Sequence, residues 1–307
     1  MRTLIVGAGG VGGNLAARLA AAPGGEQDIW LLARGEHAAR IREHGIELRH
    51  LDGTTVGRPT VVERLSEARG ADLTILAVKE PALEDVLSEL ESALAPGGWV
   101  LPLLNGLPRA AELRLKLPMA RLFEACIYVA SRRVAPGVIE QQSPFCRIVL
   151  QGAFEPAAAA EAAVCDLLTR GGIACTATRS IGEAMWTKFL FVCPMAGVTS
   201  LYGRTFGEVL TDPESRALLV ASMREIAELA AACGTPLGAD AVADALRTAE
   251  SFPPSARTSM QNDFADGRPT ELEAFSGAVL RLAERHGVAA PAHRAIYEGL
   301  RARSASA

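Results

Sequence analysis

Residues 3–13 read TLIVGAGGVGG, and this stretch decides the fold of the first part of the chain. An apolar run of β type is followed at once by five glycines within residues 7–13. The segment from Gly7 to Gly12 matches the pattern G-x-G-x-x-G and opens a helical pattern over residues 11–22. A glycine-rich turn between a strand and a helix is typical of a dinucleotide-binding domain.

The three motif glycines have separate roles in such a turn. Gly7 permits the tight turn, Gly9 lets the backbone approach a pyrophosphate, and Gly12 lets the helix pack closely on the strand. The free N–H groups and partial positive charge at the start of the helix favour phosphate groups. A plain glycine-rich turn is the alternative, but the flanking strand and helix favour the binding turn. We expect cofactor contacts from Gly7, Ala8, Gly9, Gly10, Val11 and Gly12.

Strand and helix patterns alternate over the first half of the chain, which is typical of a parallel sheet covered on both faces. The predicted strands are residues 3–6, 28–33, 72–78 and 99–104, with weaker candidates at 122–128, 147–151 and 174–178. The predicted helices are residues 11–22, 81–94 and 156–170, and residues 46–62 are predicted to form short strands or a hairpin.

From residue 181 onward the spacing of apolar residues is helical. Thr211 with Glu214, and Thr270 with Glu273, have the spacing of capping boxes that begin two of these helices. A final helix is predicted near residues 293–302. The predicted fold class is therefore α/β: a Rossmann-type doubly wound sheet in an N-terminal domain (residues 1–179), followed by an all-α C-terminal domain (residues 180–307).

Composition excludes several classes of protein. The formal net charge of the 307 residues is −4, whereas nucleic-acid binders usually carry a basic face. No uncharged stretch reaches the roughly 20 residues of a bilayer helix, so no membrane partner is expected. The six cysteines form no C-x-x-C pair and have no metal-ligand spacing with the five histidines. We expect reduced thiols, no metal and a cytoplasmic location.

The residue after the second predicted strand indicates which dinucleotide is bound. An NAD site places Asp or Glu there for the ribose 2′-hydroxyl, whereas an NADP site places Arg nearby. Arg34 follows that strand and has the donors to hold a 2′-phosphate. The alternative is a solvated Arg34, with Glu36 or Asp28 serving the ribose, although Asp28 stands at the start of the strand. The sequence favours NADPH.

Lys79 and Asn105 follow two further predicted strands. Ligands of open parallel sheets bind at the carboxyl ends of the strands, where the glycine turn and Arg34 are also expected. A solvated Lys79 and a simple turn at Asn105-Gly106 are the alternatives. The shared sheet edge favours a role for both residues in binding.

Two charged residues are unusual in the helical half. Lys188 has Met185, Phe191 and Val192 as neighbours at helical spacing, so it either extends its amine to solvent or occupies a partly dry cleft. In such a cleft it would serve as a proton donor. Glu271 opens a predicted helix, where it either complements the helix dipole or belongs to a site.

Several segments together resemble the ketopantoate reductase (2-dehydropantoate 2-reductase) family, in family order over most of the chain. They are residues 7–13, 34–37, 78–79, 105–107, 186–188, 259–260 and 267–273. The resemblance implies NADPH-dependent reduction of a 2-oxo acid, most simply 2-dehydropantoate to pantoate in pantothenate biosynthesis, in a cleft between two domains. It implies that Lys188 is the catalytic proton donor. It further implies that Asn105, Ser259 and Glu271 hold substrate, with Asn105 also near the nicotinamide.

This sequence departs from the family pattern after the catalytic lysine. Family members that make pantoate carry asparagines at the positions of Val192 and Ala196. Loss of two amides would weaken recognition of a hydroxylated acid, so a bulkier or less polar 2-oxo acid is a second candidate substrate. The sequence is also compatible with an imine- or opine-type NADP dehydrogenase and with a non-catalytic NADPH sensor. The expected partner is a small 2-oxo acid, and a homodimer is compatible with the sequence.

Overall fold

A computed structural model gives the structure of residues 1–24, 28–107 and 110–305. The chain divides into two compact units. The first unit comprises Met1–Leu104 and Pro108–Ile181, and the second comprises Asn105–Leu107 and Gly182–Ala307. The short segment around Asn105 therefore belongs to the helical unit, although it follows a strand of the first unit along the chain.

The first unit is built on strands that alternate with helices along the chain. The strands are β1 (Arg2–Val6), β2 (Asp28–Leu32), β3 (Ile46–His50), β4 (Gly53–Gly57), β5 (Thr60–Val62), β6 (Ala71–Leu76), β7 (Leu94–Pro102), β8 (Arg121–Tyr128), β9 (Ser131–Ala135), β10 (Val138–Gln141), β11 (Arg147–Gly152) and β12 (Ala174–Ala177). The helices are α1 (Gly10–Ala21), α2 (Gly35–His44), α3 (Leu83–Leu90), α4 (Ala110–Lys116) and α5 (Ala158–Arg170).

The main sheet has eight strands in the order β12-β11-β8-β7-β6-β1-β2-β5. From β5 to β8 the neighbouring strands are parallel, and their order is the 3-2-1-4-5-6 of the Rossmann fold. Beyond them, β11 runs antiparallel to its neighbour β8. The chain reverses its direction of winding at β1, which makes the carboxyl ends of β1, β2 and β6 the expected ligand edge.

Burial on both faces explains the continuous apolar character of β1. Leu4 and Val6 pack into one core cluster and Ile5 packs into the cluster on the opposite face. All three side chains are fully buried. A strand covered on both faces has no polar face to alternate with, so its sequence is uniformly apolar.

A second sheet of four strands, β4-β3-β10-β9, packs against α1. Its β3–β4 hairpin is predicted from the sequence, whereas β9 and β10 are not, because β9 (SRRVA) is largely exposed and carries no apolar alternation. Small residues allow the close packing. A Cβ on Gly13 would lie 2.6 Å from Ile139 of β10, and a Cβ on Gly57 would lie 2.4 Å from the carbonyl oxygen of Ala17.

The second unit is helical. Its elements are α6 (Ile181–Tyr202), α7 (Phe206–Thr211), α8 (Pro213–Ala232), α9 (Ala241–Ser251), α10 (Ser259–Ala265), a π-helical segment (Glu273–Gly277) that continues into α11 (Ala278–His286), and α12 (Pro291–Ala305). The described part of this unit contains no strand. The predicted fold class, a Rossmann-type sheet followed by an all-α domain, is confirmed.

The predicted capping boxes are wrong, although both helices exist. Asp212 caps α8 by accepting the N–H of Ser215 at 2.9 Å, and the capping box of this region joins Thr205 and Glu208 at the start of α7. The error arose because Thr211 ends α7 and donates its hydroxyl back to Gly207. The structure does place Gly287, with φ +66°, at the end of α11, as expected for a glycine C-cap.

Helix α6 is the central helix of the second unit. Its 22 residues are long and apolar enough, by length and composition alone, to cross a membrane. Glu183 and Lys188 are its only charged residues, and they interrupt its apolar sequence, so no uncharged stretch within it reaches about 20 residues. However, 67% of its most apolar 18-residue window is buried inside the protein, which is also the pattern of a core helix.

A buried carboxylate, that of Glu225, connects helices α8 and α12 beside α6. Glu225 of α8 accepts the backbone N–H groups of Ala292 and His293 at 2.6 and 3.0 Å, in the first turn of α12. The His293 ring donates to the same carboxylate at 2.8 Å and contacts the thiol of Cys193 on α6 at 3.7 Å. Burial raises the pKa of Glu225, but these hydrogen bonds outweigh burial and bring the pKa below its usual range.

The expectation of six reduced cysteines is wrong for two of them. Cys165 and Cys175 form a disulfide, because α5 packs on β12 and brings their Cα atoms within 5.1 Å. The other four cysteines are not in disulfides. The cytoplasmic location inferred from cysteine usage stays a prediction, and this disulfide removes part of its support.

Candidate functional site

The glycine turn between β1 and α1 is shaped by packing at two of its three motif positions. Gly7 has φ +106°, and a Cβ there would lie 2.6 Å from the carbonyl oxygen of Ala77. A Cβ on Gly12 would lie 1.8 Å from the carbonyl oxygen of Gly7. A Cβ on Gly9, in contrast, meets no atom within 4 Å. The protein's own packing therefore does not require glycine at position 9, and the open space there fits a turn that receives a ligand.

The first turn of α1 has the features of an anion site. Gly9 is the N-cap residue, no side chain caps the helix, and the first turn contains no acidic residue. Backbone N–H groups at such an end have no partner within the helix and carry a partial positive charge. The hydroxyl of Ser131 donates to the carbonyl of Gly10 at 3.0 Å and ties β9 to this turn. The residues present fit the phosphate groups of a dinucleotide.

Arg34 is exposed at the end of β2 and serves as the N-cap residue of α2. Strand β5 is the neighbour of β2, and Glu63 follows the end of β5. The carboxylate of Glu63 accepts a hydrogen bond from Arg42 at 2.6 Å. This hydrogen bond from Arg42 holds the pKa of Glu63 below its usual range. Asp28 pairs with Arg2 at 2.7 Å at the opposite end of β2, which removes it as a ribose partner. A cation therefore stands where an NAD site would have an acid.

Lys79 is exposed and precedes a single 3₁₀ turn, Glu80–Ala82, after β6. It lies at the same sheet edge as the glycine turn and Arg34, because β6 is the parallel neighbour of β1. The binding roles of Arg34 and Lys79 stay predictions.

In the second unit the structure brings together three of the residues predicted for the substrate site. Lys188 of α6 is half-buried and donates from Nζ to Oδ1 of Asn105 at 3.3 Å. Asn105 donates from Nδ2 to Oε2 of Glu271 at 3.2 Å. Glu271 is buried, with 4% of its surface exposed. An ammonium, an amide and a carboxylate thus form one hydrogen-bonded series, which we call the Lys–Asn–Glu chain.

Local structure positions each member of this chain. Gly106, with φ +113°, turns the backbone directly after Asn105. Glu271 stands just before the π-helical segment, in which the N–H of Gly277 donates to the carbonyl of Leu272 at 3.0 Å. Such segments occur frequently at functional sites. Because the carboxylate of Glu271 is buried and bonded to Asn105, it does not act as a solvated first-turn acid.

Ser259 is not part of the Lys–Asn–Glu chain. It is exposed at the first residue of α10, so its predicted role in holding substrate stays a prediction. Val192 is half-buried and Ala196 is buried, one and two turns along α6 from Lys188. Val192 and Ala196, which stand where the family pattern has asparagines, therefore lie on the same helix as Lys188, at spacings of four residues.

One residue beside the glycine turn, His37, is not predicted as a site residue from the sequence. His37 of α2 is 5% exposed, and its ring bonds to the carbonyl of Ala8 at 2.9 Å and to the N–H of Gly137 at 2.8 Å. The only feature of the sequence that points to His37 is its place in the segment 34–37, and this segment does not predict which groups the ring contacts. Within residues 1–24, 28–107 and 110–305, no group of three or more His, Cys, Asp or Glu is placed to hold a metal ion.

The fold and the glycine turn define a Rossmann-type, NAD(P)-dependent oxidoreductase, and comparison with known proteins identifies its family. Residues 3–151 match the family described as "Ketopantoate reductase PanE/ApbA", and residues 180–304 match "Ketopantoate reductase PanE/ApbA C terminal". The chain belongs to the ketopantoate reductase family. It is an oxidoreductase that acts on CH–OH groups.

Individual relatives agree with this assignment. The chain is 30% identical over 305 residues to a 2-dehydropantoate 2-reductase of Halobacterium salinarum, covering 98% of each. It is similar to the crystal structure of a 2-dehydropantoate 2-reductase of Methylococcus capsulatus, with a TM-score of 0.85, 26% identity and coverage of 98% and 96%. A D-mandelate dehydrogenase solved with NADH and anilino(oxo)acetate has the same fold, with a TM-score of 0.90, 22% identity and coverage of 100% and 99%.

We predict that Gly12→Ala destabilises the protein, because its methyl group would overlap the carbonyl oxygen of Gly7. Overpacking of this kind costs about 1–3 kcal/mol or more of unfolding free energy. The matched control is Gly9→Ala in the same turn, whose methyl group meets open space and whose unfolding free energy should stay near that of the wild type. Chemical denaturation followed by circular dichroism measures both, and equal stability of the two variants would contradict the packing argument.

Proposed function

We propose that this protein reduces the carbonyl group of a 2-oxo acid to a hydroxyl group, with NADPH as the hydride donor and 2-dehydropantoate as the leading substrate. The observation that carries the proposal is the hydrogen bond from Lys188 to Asn105 within the Lys–Asn–Glu chain. Family membership supports the reaction type.

The cofactor site is assigned to the edge of the main sheet. The turn of Gly7, Ala8, Gly9, Gly10, Val11 and Gly12 would hold the pyrophosphate, through the N–H groups at the start of α1. Arg34 would hold the 2′-phosphate and Lys79 would add positive charge at the same edge. NADPH, when bound, supplies the hydride that reduces the carbonyl carbon.

Lys188 is assigned the proton transfer. As an ammonium it has three N–H donors, of which Asn105 accepts one. The same group can donate a hydrogen bond to the carbonyl oxygen of a 2-oxo acid and stabilise the negative charge that develops on that oxygen. Transfer of the lysine proton to the alkoxide then completes the hydroxyl group.

Asn105 and Glu271 are assigned the orientation of Lys188. The carboxylate of Glu271 can only accept, so it selects the NH₂ end of the Asn105 amide. The carbonyl end of the amide therefore faces Lys188 and accepts from the ammonium. The buried carboxylate thus fixes the direction of the Asn105 amide, and through that amide the position of Nζ of Lys188.

Two side chains along α6 affect which 2-oxo acid we expect as the substrate. Val192 and Ala196 offer no hydrogen bonds where family members that make pantoate are expected to carry amides. Weaker recognition of a hydroxylated acid would follow, and a 2-oxo acid with a less polar side chain is the second candidate. The oligomeric state stays a prediction.

Steady-state NADPH oxidation with a panel of 2-oxo acids tests the proposal. The panel contains 2-dehydropantoate and 2-oxo acids with branched or aromatic side chains, each with and without an added amine. We expect turnover without the amine. Turnover only with an amine would instead indicate imine or opine chemistry, and tight NADPH binding without turnover would indicate a sensor.

Lys188→Ala should lower kcat about 10²- to 10⁴-fold, the usual contribution of a positioned general acid, and leave the Kd for NADPH nearly unchanged. Lys188→Arg should also lose most of kcat, because a guanidinium keeps the charge but does not release its proton. The control is Lys116→Ala, since Lys116 is an exposed lysine paired with Glu84 of the first unit. Near-normal kcat in Lys188→Ala would refute the assignment.

Arg34→Ala should weaken NADPH binding about ten- to a hundredfold, as expected for loss of charge-assisted hydrogen bonds to a phosphate. The Kd for NADH should change little, because NADH has no 2′-phosphate. Arg49→Ala is the matched control, since Arg49 is an exposed arginine of β3 paired with Glu47 at 2.6 Å. Equal losses for NADPH and NADH would contradict a role in binding the 2′-phosphate.

A further inference from the structure

The His37 ring connects the glycine turn to the turn between β9 and β10. A backbone N–H can only donate, so Nδ1 of His37 must accept from Gly137, at 2.8 Å. The hydrogen on the ring is then on Nε2, which donates to the carbonyl oxygen of Ala8 at 2.9 Å. Both partners are satisfied only by the neutral ring in this one tautomer.

The carbonyl that His37 holds belongs to the peptide between Ala8 and Gly9. This peptide is planar, and its N–H points opposite to its C=O. With the carbonyl fixed against His37, the N–H of Gly9 is directed away from α2. Gly9 is exposed, and a Cβ there would meet no atom within 4 Å. Successive backbone N–H groups aimed into such a space bind anions.

We propose that His37 is a positioning residue of the cofactor site: by holding the Ala8 carbonyl it aims the N–H of Gly9 at the phosphate groups of the dinucleotide. The inference rests on the cofactor site proposed above. His37 itself does not touch the cofactor in this arrangement, and its effect passes through the peptide that it holds.

The groups around His37 favour the neutral ring. Burial is the main cause that lowers the pKa of His37 from its ordinary value of 6.5, the hydrogen bond to Ala8 opposes this, and the charge of Arg133 lowers the pKa further. From the side of α1, the residues from Gly7 to Ala17 present no charged side chain. On α2, Arg40 lies against the Gly137 turn and Glu36 is exposed, as is the N-cap residue Arg34. Strands β9 and β10 also carry Arg132 and Glu140, which pair with each other.

Protonation would break the arrangement, because Nδ1 would then present a hydrogen to the N–H of Gly137. The folded ring takes up this proton at a lower pH than an ordinary histidine, whose pKa is 6.5, because the pKa of His37 is lowered. The unfolded chain takes up the proton first as the pH falls, so stability is complete above pH 6.5 and decreases below it. The affinity for NADPH should decrease as the folded ring itself becomes protonated, at lower pH still.

The test measures the Kd for NADPH by its fluorescence, from about pH 5 to about pH 8, across the range in which histidines titrate. His37→Gln places an amide N–H near the position of Nε2 and can keep the bond to Ala8. His37→Asn places its amide near Nδ1 and can keep only the bond to Gly137. We expect His37→Asn to raise the Kd about three- to tenfold at neutral pH, the loss of one hydrogen bond. His37→Gln should bind nearly as the wild type does.

Two further readouts separate positioning from a general loss of structure. At saturating NADPH the kcat of both variants should equal that of the wild type, so the effect should fall on the KM for NADPH. The wild type should lose more affinity for NADPH on acidification than His37→Gln, in which residue 37 does not titrate. Titration of the NADPH phosphate affects both proteins equally, so it does not contribute to the difference between them. This comparison remains informative if His37→Asn does not fold. His50→Gln is the matched control, since His50 bonds Thr55 in the second sheet.

Equal Kd values for wild type, His37→Gln and His37→Asn, with the same pH dependence, would overturn the inference. A wild-type chain that binds neither NADPH nor NADH at any pH would instead overturn the proposed cofactor site. A fall in kcat that matches the rise in Kd for both variants would show a general structural role and would also overturn the inference.

Discussion

The close approach of α1 to the sheet at Gly12 is the constraint on which the first unit depends. A Cβ at this position would overlap the carbonyl oxygen of Gly7, so the helix can begin directly beside the end of β1 only with glycine there. On its other side α1 is covered by the second sheet, where Gly13 and Gly57 again allow contact that a side chain would prevent. Packing from both sides fixes the direction of the helix axis, and with it the direction in which the N–H groups of the first turn point.

The second unit depends on polar groups that are buried and paired. Glu271 is almost inaccessible to solvent, and burial of its carboxylate without hydrogen-bond partners would cost folding free energy. Asn105 donates one hydrogen bond to this carboxylate and accepts one from Lys188. Glu225 has a similar role elsewhere in the unit, where it holds the first turn of α12 and the ring of His293 beside α6. Buried carboxylates thus fix both the surroundings of Lys188 and the helix that carries it.

Several features could not be derived from local sequence, for identifiable reasons. Strand β9 is formed by an exposed, arginine-rich segment that becomes a strand only because β10 pairs with it. The Cys165–Cys175 disulfide depends on the packing of α5 against β12, whereas sequence spacing alone indicated free thiols. Asp212, rather than Thr211, caps α8, because Thr211 completes the helix before it. The two hydrogen bonds of His37 cannot be read from the sequence, because Gly137 lies 100 residues away along the chain.

The sequence by itself determined the alternation of strands and helices in the Rossmann-type unit, the change to helices near residue 181 and the glycine turn. These follow from apolar periodicity and from glycines at fixed spacing, which are local properties of the chain. The residues of the Lys–Asn–Glu chain were open to other interpretations by spacing alone, and the resemblance to the ketopantoate reductase family selected them. Only the tertiary structure decided which of those residues meet. Asn105 lies 83 residues from Lys188 and 166 from Glu271 along the chain, and such contacts arise from packing between distant segments, which local patterns do not encode.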